Sequence, residues 1–171
     1  NPGLEKQTAG EYVQDLSKRV GTDAIGQPQG TIQPITGNTI ESAGTFGIRV
    51  LGQDSSNRPT RVVIASNVIR SAGDDGIHLN RADDVLLHGN VVADSTAQGI
   101  ELTNSVDASV VANFVKGHGG IGVFCILGGP FFVSGKTING TAGTTTADRD
   151  GVRVNAGTAV IQGNKIFGGN Y

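Results

Sequence analysis

Apolar and polar residues alternate along short stretches of this chain, and the same short stretch keeps returning. RVVIASNVI (61–69), DVLLHGNVV (84–92), DASVVANFV (107–115) and TAVIQGNKI (158–166) share one pattern, with Asn in the seventh place, and TGNTI (36–40) fits as an earlier copy. The Asn residues are Asn38, Asn67, Asn90, Asn113 and Asn164, and the steps from 67 to 90 and from 90 to 113 are both 23 residues. Nine residues after the first four stand Gly47, Gly76, Gly99 and Gly122, each opening a second apolar run: GIRVL, GIHLN, GIELT and GVFCI, with GVRVN (151–155) as a later copy. Period-two alternation broken by turns predicts two or three short strands per repeat. A repeat of this length with several strands and no helix predicts one coil of a parallel β-helix, in which each strand pairs with its copy one coil on. A leucine-rich repeat has a similar length, but its Leu scaffold is missing.

Stacked copies lie about 4.8 Å apart. Ile48, Ile77, Ile100, Val123 and Val152 then make one inward column, and Val50, Leu79, Leu102, Cys125 and Val154 the next. The recurrent Asn is expected to stack as a ladder of amides that closes a turn from coil to coil. The start is different in kind. Thr8 followed by Glu11 reads as a capping box, and EYVQDLSKRV has helical spacing up to Gly21, so residues 8–20 are expected to form a helix over the open end of the solenoid. The expected class is all-β, a single-stranded right-handed parallel β-helix of about five to six coils over residues 27–171. Residues 1–26 form the N-terminal segment that holds the capping helix. No equivalent cap is visible at the other end, where a homotrimer or further coils would be needed.

Composition narrows the function. The 27 Gly, the net charge of −2 and the pI of about 5.9, with no run of Lys or Arg, argue against a nucleic-acid partner. No apolar stretch approaches the roughly 18 residues that cross a bilayer, so no membrane association is expected. The Asn start and the absence of Met read as a processed or excised piece. The lone Cys125 lies in an apolar run and reads as a buried thiol.

The G-I-x-x and I-x-G-N-x-I coils, over about residues 30–171, resemble the pectin-lyase-like superfamily of parallel β-helices, which includes pectate lyases, polygalacturonases, mannuronan epimerases and phage tailspike depolymerases. That resemblance implies a polysaccharide partner and a place outside the cell or on a virion surface. It transfers no enzyme subclass. Gly73-Asp74-Asp75 and Gly117-His118-Gly119 echo two polygalacturonase elements, yet Asp75 and His118 stand 43 residues apart, and the Asn-Thr-Asp and Arg-Ile-Lys elements are missing. The Asp-Pro-His-Glu element of the epimerases and the paired Arg and Lys of the pectate lyases are missing too.

A site would lie on the outward columns. One reads Arg49, His78, Glu101, Phe124, Arg153, and another, just before the Gly, reads Phe46, Asp75, Gln98, Ile121, Asp150. Carboxylates on neighbouring rungs fall about 5–9 Å apart, which spans both outcomes of glycoside hydrolysis. Asp75 and Glu101 are therefore the candidate acid and base, with His78 tuning them; Arg49, Asp74, Phe124, Arg153 and Phe131 are candidate substrate contacts. From Ile77 to Asn90 and from Ile100 to Asn113 is 13 residues, but Ile48 to Asn67 is 19 and Val123 to Asn139 is 16. Loops at QDSSNRP (53–59) and GGPFF (128–132) would wall the site. The same residues also read as a solvated cross-strand charge ladder, and the Asp pairs as turn residues. Asp74 and Asp75 offer too few oxygens for Ca²⁺, so neither a metal nor a cofactor is expected. Two functions follow: a glycan-degrading enzyme, hydrolase or lyase, or a non-catalytic adhesin or receptor-binding spike module.

Overall fold

The computed structural model describes residues 34–139 and 151–167. The expected capping helix at 8–20 and the segment 1–26 lie outside them. A partial coil carries β1 (Ile35–Thr36) and β2 (Thr39–Glu41). The next three coils each have three strands: β3 (Ile48–Leu51), β4 (Thr60–Ala65) and β5 (Val68–Arg70); β6 (Ile77–Asn80), β7 (Asp83–His88) and β8 (Val91–Ala93); β9 (Ile100–Thr103), β10 (Val106–Val111) and β11 (Phe114–Lys116). Then come β12 (Val123–Ser134) with β13 (Thr137–Asn139), and β14 (Val152–Gln162) with β15 (Lys165–Phe167). β12 and β14 each run across two faces without a break.

All pairing is parallel and joins like strands of successive coils. One face is β3-β6-β9-β12-β14, the second β1-β4-β7-β10-β12-β14, and the third β2-β5-β8-β11-β13-β15. The described residues form an all-β parallel β-helix. The register is the one the repeat demands: Ile48, Ile77, Ile100, Val123 and Val152 are successive partners, as are Val50, Leu79, Leu102, Cys125 and Val154. These columns are buried as far as Cys125, and Val152 and Val154 pack against them less deeply. Burial pushes the Cys125 thiol up to about 12.

The Asn ladder is present and buried. Asn90 Oδ1 accepts from the Asn67 backbone N–H and from its Nδ2, each at 3.0 Å, and Asn113 Oδ1 does the same for Asn90 at 2.9 Å. Asn90 Nδ2 in turn donates to the Ile64 carbonyl at 2.8 Å. Asn90→Ala would leave two buried donors and one carbonyl unpaired, so denaturant titration should show a loss of roughly 1–3 kcal/mol. A neutral result would mean that the ladder contributes nothing to stability.

On the fourth coil the rung is Lys136, and this corrects the count from Val123 to Asn139. Asn164 Oδ1 accepts from the Lys136 backbone N–H at 3.1 Å, and Lys136 Nζ donates to the Val110 carbonyl, the place filled elsewhere by an Asn amide. Lys136 stands 23 residues after Asn113, so this coil has no insertion. GGPFF is consequently part of β12, with a bulge between Gly128 and Phe131, and makes no wall. Phe131 pairs with Ala108, points inward and is 1% exposed, so it is a core residue with no access to a substrate. The loop on the first coil is real. Asp54 Oδ1 accepts from the backbone N–H groups of Ser56 and Asn57 at 2.7 and 2.9 Å, and these bonds, after that of the Asn57 side chain, hold its carboxyl below the ordinary range. Arg58 then reaches over two coils, to Asp83 at 2.7 Å and to the Asn104 carbonyl.

Candidate functional site

The outward row of the first face follows from the same register. Arg49 pairs with His78, His78 with Glu101, Glu101 with Phe124 and Phe124 with Arg153. Asp75 enters from the turn before β6, where the chain must bend ahead of Gly76. One ligand atom each from Asp75, His78 and Glu101 lies within 4.8 Å of the others. The structure therefore brings together the three residues of the expected acid–base group.

Their surroundings differ. Asp75 is 3% exposed, and both its oxygens are engaged: Oδ1 accepts the Gln98 backbone N–H at 2.9 Å, and Oδ2 lies 2.8 Å from His78 Nδ1. A carboxylate only accepts, so Nδ1 carries the proton and Nε2 is the ring's basic nitrogen. A side chain so enclosed has no oxygen left for a sugar, and its Oδ2 meets the His78 ring instead. The His78 and Glu101 side chains are each 14% exposed, and these two reach the surface. His78 Nδ1 is 3.9 Å from Glu101 Oε1. Glu101 is held in turn, Oε1 accepting from Thr103 Oγ1 at 2.8 Å and Oε2 from Gln98 Nε2 at 3.3 Å.

Phe46 completes the floor. Its ring lies 4.9 Å from that of His78, and the Arg49 guanidinium carbon stands over it, 4.7 Å from its centroid. Arg49 Nε is buried without a hydrogen-bond partner. Burial, then the neighbouring Asp75 carboxylate, push the Asp74 carboxyl above its ordinary value, with Glu101 adding to the effect and His78 and Arg49 opposing it. Asp74 also serves the turn, its N–H donating to the Thr45 carbonyl and its carbonyl accepting from Ala97. His118 is remote in role: buried in its own turn, its Nδ1 donates to the Gly120 carbonyl at 2.8 Å. Thr103 and Gln98 are the positioning residues that spacing alone did not single out. Thr103 was legible in principle, two positions after Glu101 and so on the same side of the strand.

No characterised protein and no solved structure matches the chain. A family model does. The description "right handed beta helix region" covers residues 47–171, which includes the coils that carry Asp75, His78 and Glu101 and most of the parallel stack, and on this match the chain belongs to the right-handed β-helix family.

Proposed function

We propose that this chain is a polysaccharide-directed β-helix protein, acting outside the cell or on a virion surface, that cleaves an acidic glycan by proton transfer at His78 and Glu101. The observation that carries the reading is the Asp75–His78 contact at 2.8 Å beside Glu101. Hydrolysis by paired carboxyl groups needs both at the scissile bond, and enclosure takes Asp75 out of that pair. What is left suits elimination from a uronate unit. His78 Nε2 takes the proton on the carbon next to the sugar carboxylate, Asp75 fixes the tautomer and faces the imidazolium that forms, and Glu101 relays a solvent proton to the departing glycosidic oxygen. The electron pair of the broken C–H bond becomes the new C=C bond, and the pair of the C–O bond leaves with the oxygen. Arg49, with no protein carboxylate in ion-pair reach among the described residues, is the group to hold the uronate carboxylate. Phe124, one rung on, offers a ring face to the neighbouring sugar, and Arg153 a second cation.

The test is a panel of acidic and neutral polysaccharides read both for ultraviolet absorbance of an unsaturated product and for new reducing ends. The expected result is both signals together on a uronate polymer, lost by about 10²–10⁴-fold in His78→Ala and in Glu101→Gln. Reducing ends without absorbance would mean hydrolysis. No product on any polymer, with retention on a polysaccharide matrix, would replace cleavage by a binding role.

A further inference from the structure

We propose that Asp75, His78 and Glu101 also form a binding site for one divalent transition-metal ion, with a carboxylate oxygen of Asp75, His78 Nδ1 and Glu101 Oε1 as its donors. The inference rests on the geometry and charge of the cluster, and holds whether or not a glycan is cleaved there. Bonds of about 2.1 Å to a common ion allow donor atoms up to about 4.2 Å apart. The separations of 2.8 and 3.9 Å from Nδ1 fall inside that limit, and all three donors lie within 4.8 Å. The remaining adjustment falls on Glu101, whose partners Thr103 and Gln98 bond it through side chains rather than backbone. Asp75 is fixed by the Gln98 N–H, and the His78 ring by its packing on Phe46.

Charge points the same way. Asp74, Asp75 and Glu101 bring three carboxyl groups to one partly enclosed spot, and the nearest guanidinium, Arg49, lies over the Phe46 ring. Among the described residues no Lys or Arg forms an ion pair with Asp75 or Glu101. Enclosed carboxylates call for a cation, and the cluster supplies a nitrogen ligand with them. One imidazole and two carboxylates suit Zn²⁺, Co²⁺ or Mn²⁺, whereas Ca²⁺ takes six to eight oxygens. The ion takes Nδ1 and the proton there passes to Nε2; binding needs a neutral ring and ionised carboxylates, so affinity should fall on acidification. It also takes the atom that Asp75 holds in the proton-transfer form, so metal loading and acid–base action exclude each other.

The experiment is calorimetric titration of Zn²⁺ into the untagged chain after dialysis against a chelator, with Co²⁺ absorption as a second readout. One saturable equivalent is expected, weakened in His78→Gln and in Glu101→Gln by more than the about tenfold that loss of an outer-shell partner costs, and unchanged in His88→Gln, an exposed residue on β7. Circular dichroism checks that each variant keeps its parallel sheets, and Glu101→Gln stands in if His78→Gln fails to fold. No saturable uptake, or uptake undiminished by both substitutions, would overturn the site. A chain that takes up Zn²⁺ but, when metal-free, cleaves no polymer refutes the acid–base reading alone, and cleavage by a chain that takes up no Zn²⁺ refutes this one alone.

Discussion

Lys136→Asn should stabilise the protein at about pH 6 by roughly 3–5 kcal/mol and flatten its stability between about pH 7 and 10. Lys136 is 1% exposed and its ammonium group has the Val110 carbonyl as its hydrogen-bond acceptor. Burial pushes it down to about 7 from the ordinary 10.5, and the nearby Cys125 thiol, the one titratable group set against it among the described residues, opposes that. Below about pH 7 folded and unfolded chains are both protonated, and the folded state bears the whole cost of an enclosed ammonium. Between there and about 10.5 the unfolded chain holds more proton than the native one, so unfolding free energy rises with pH; above that range the two states are neutral alike. Asn at this position also returns an acceptor to Asn113, whose Nδ2 donates to the Leu87 carbonyl at 2.9 Å and to the Val111 carbonyl of its own coil at 3.1 Å, since lysine has no oxygen to offer the ladder. Denaturant titrations of both proteins across this range decide the matter. Parallel curves for wild type and variant would show that Lys136 is not the source.

Gly99→Ala should cost stability at the upper end of the roughly 1–3 kcal/mol typical of overpacking. A Cβ there would stand 2.2 Å from Val115 Cγ1 and 2.6 Å from the Gly122 carbonyl oxygen on the next coil. A side chain can turn away, but a backbone carbonyl that already accepts from the Ile100 N–H at 2.9 Å has nowhere to go without opening the stack. Gly76 meets the same obstacle, with the Gly99 oxygen 2.7 Å from its added Cβ. The control is Gly89→Ala. Its φ of 62° carries a backbone cost of roughly 1–2 kcal/mol, but its nearest neighbour would be Ser66 Oγ at 3.9 Å. Thermal and chemical unfolding of the two variants should rank Gly99→Ala clearly lower, and equal losses would mean that the glycine column is not a contact between coils.

The period carried most of the fold. Asn at one place and Gly nine residues later are fixed by two physical demands, an amide that both donates and accepts between coils and a backbone approach with no room for a Cβ. Where the first demand is met by another residue the reading failed. Lys136 presents a donor to the same carbonyl, so the ladder goes on while the letter changes; with Asn139 taken as the rung, three extra residues appeared, and Phe131 moved from core to surface. The convergence of His78 and Glu101 was legible because parallel register places like positions side by side. The enclosure of Asp75 was not, since it depends on a turn whose carboxylate bonds forward to the Gln98 N–H, and no alternation of polar and apolar residues encodes that.

Arg49 stands on the first three-stranded coil, His78 on the second and Glu101 on the third, all three on strands, and Asp75 joins them from the turn before β6. Strands hold those three side chains more closely than loops would. Arg49, His78 and Glu101 occupy an outward row, so any one of them can be exchanged while every inward column is kept. The stack thus separates what must stay from what is free to vary, and in the course of evolution new chemistry would come to it one outward substitution at a time.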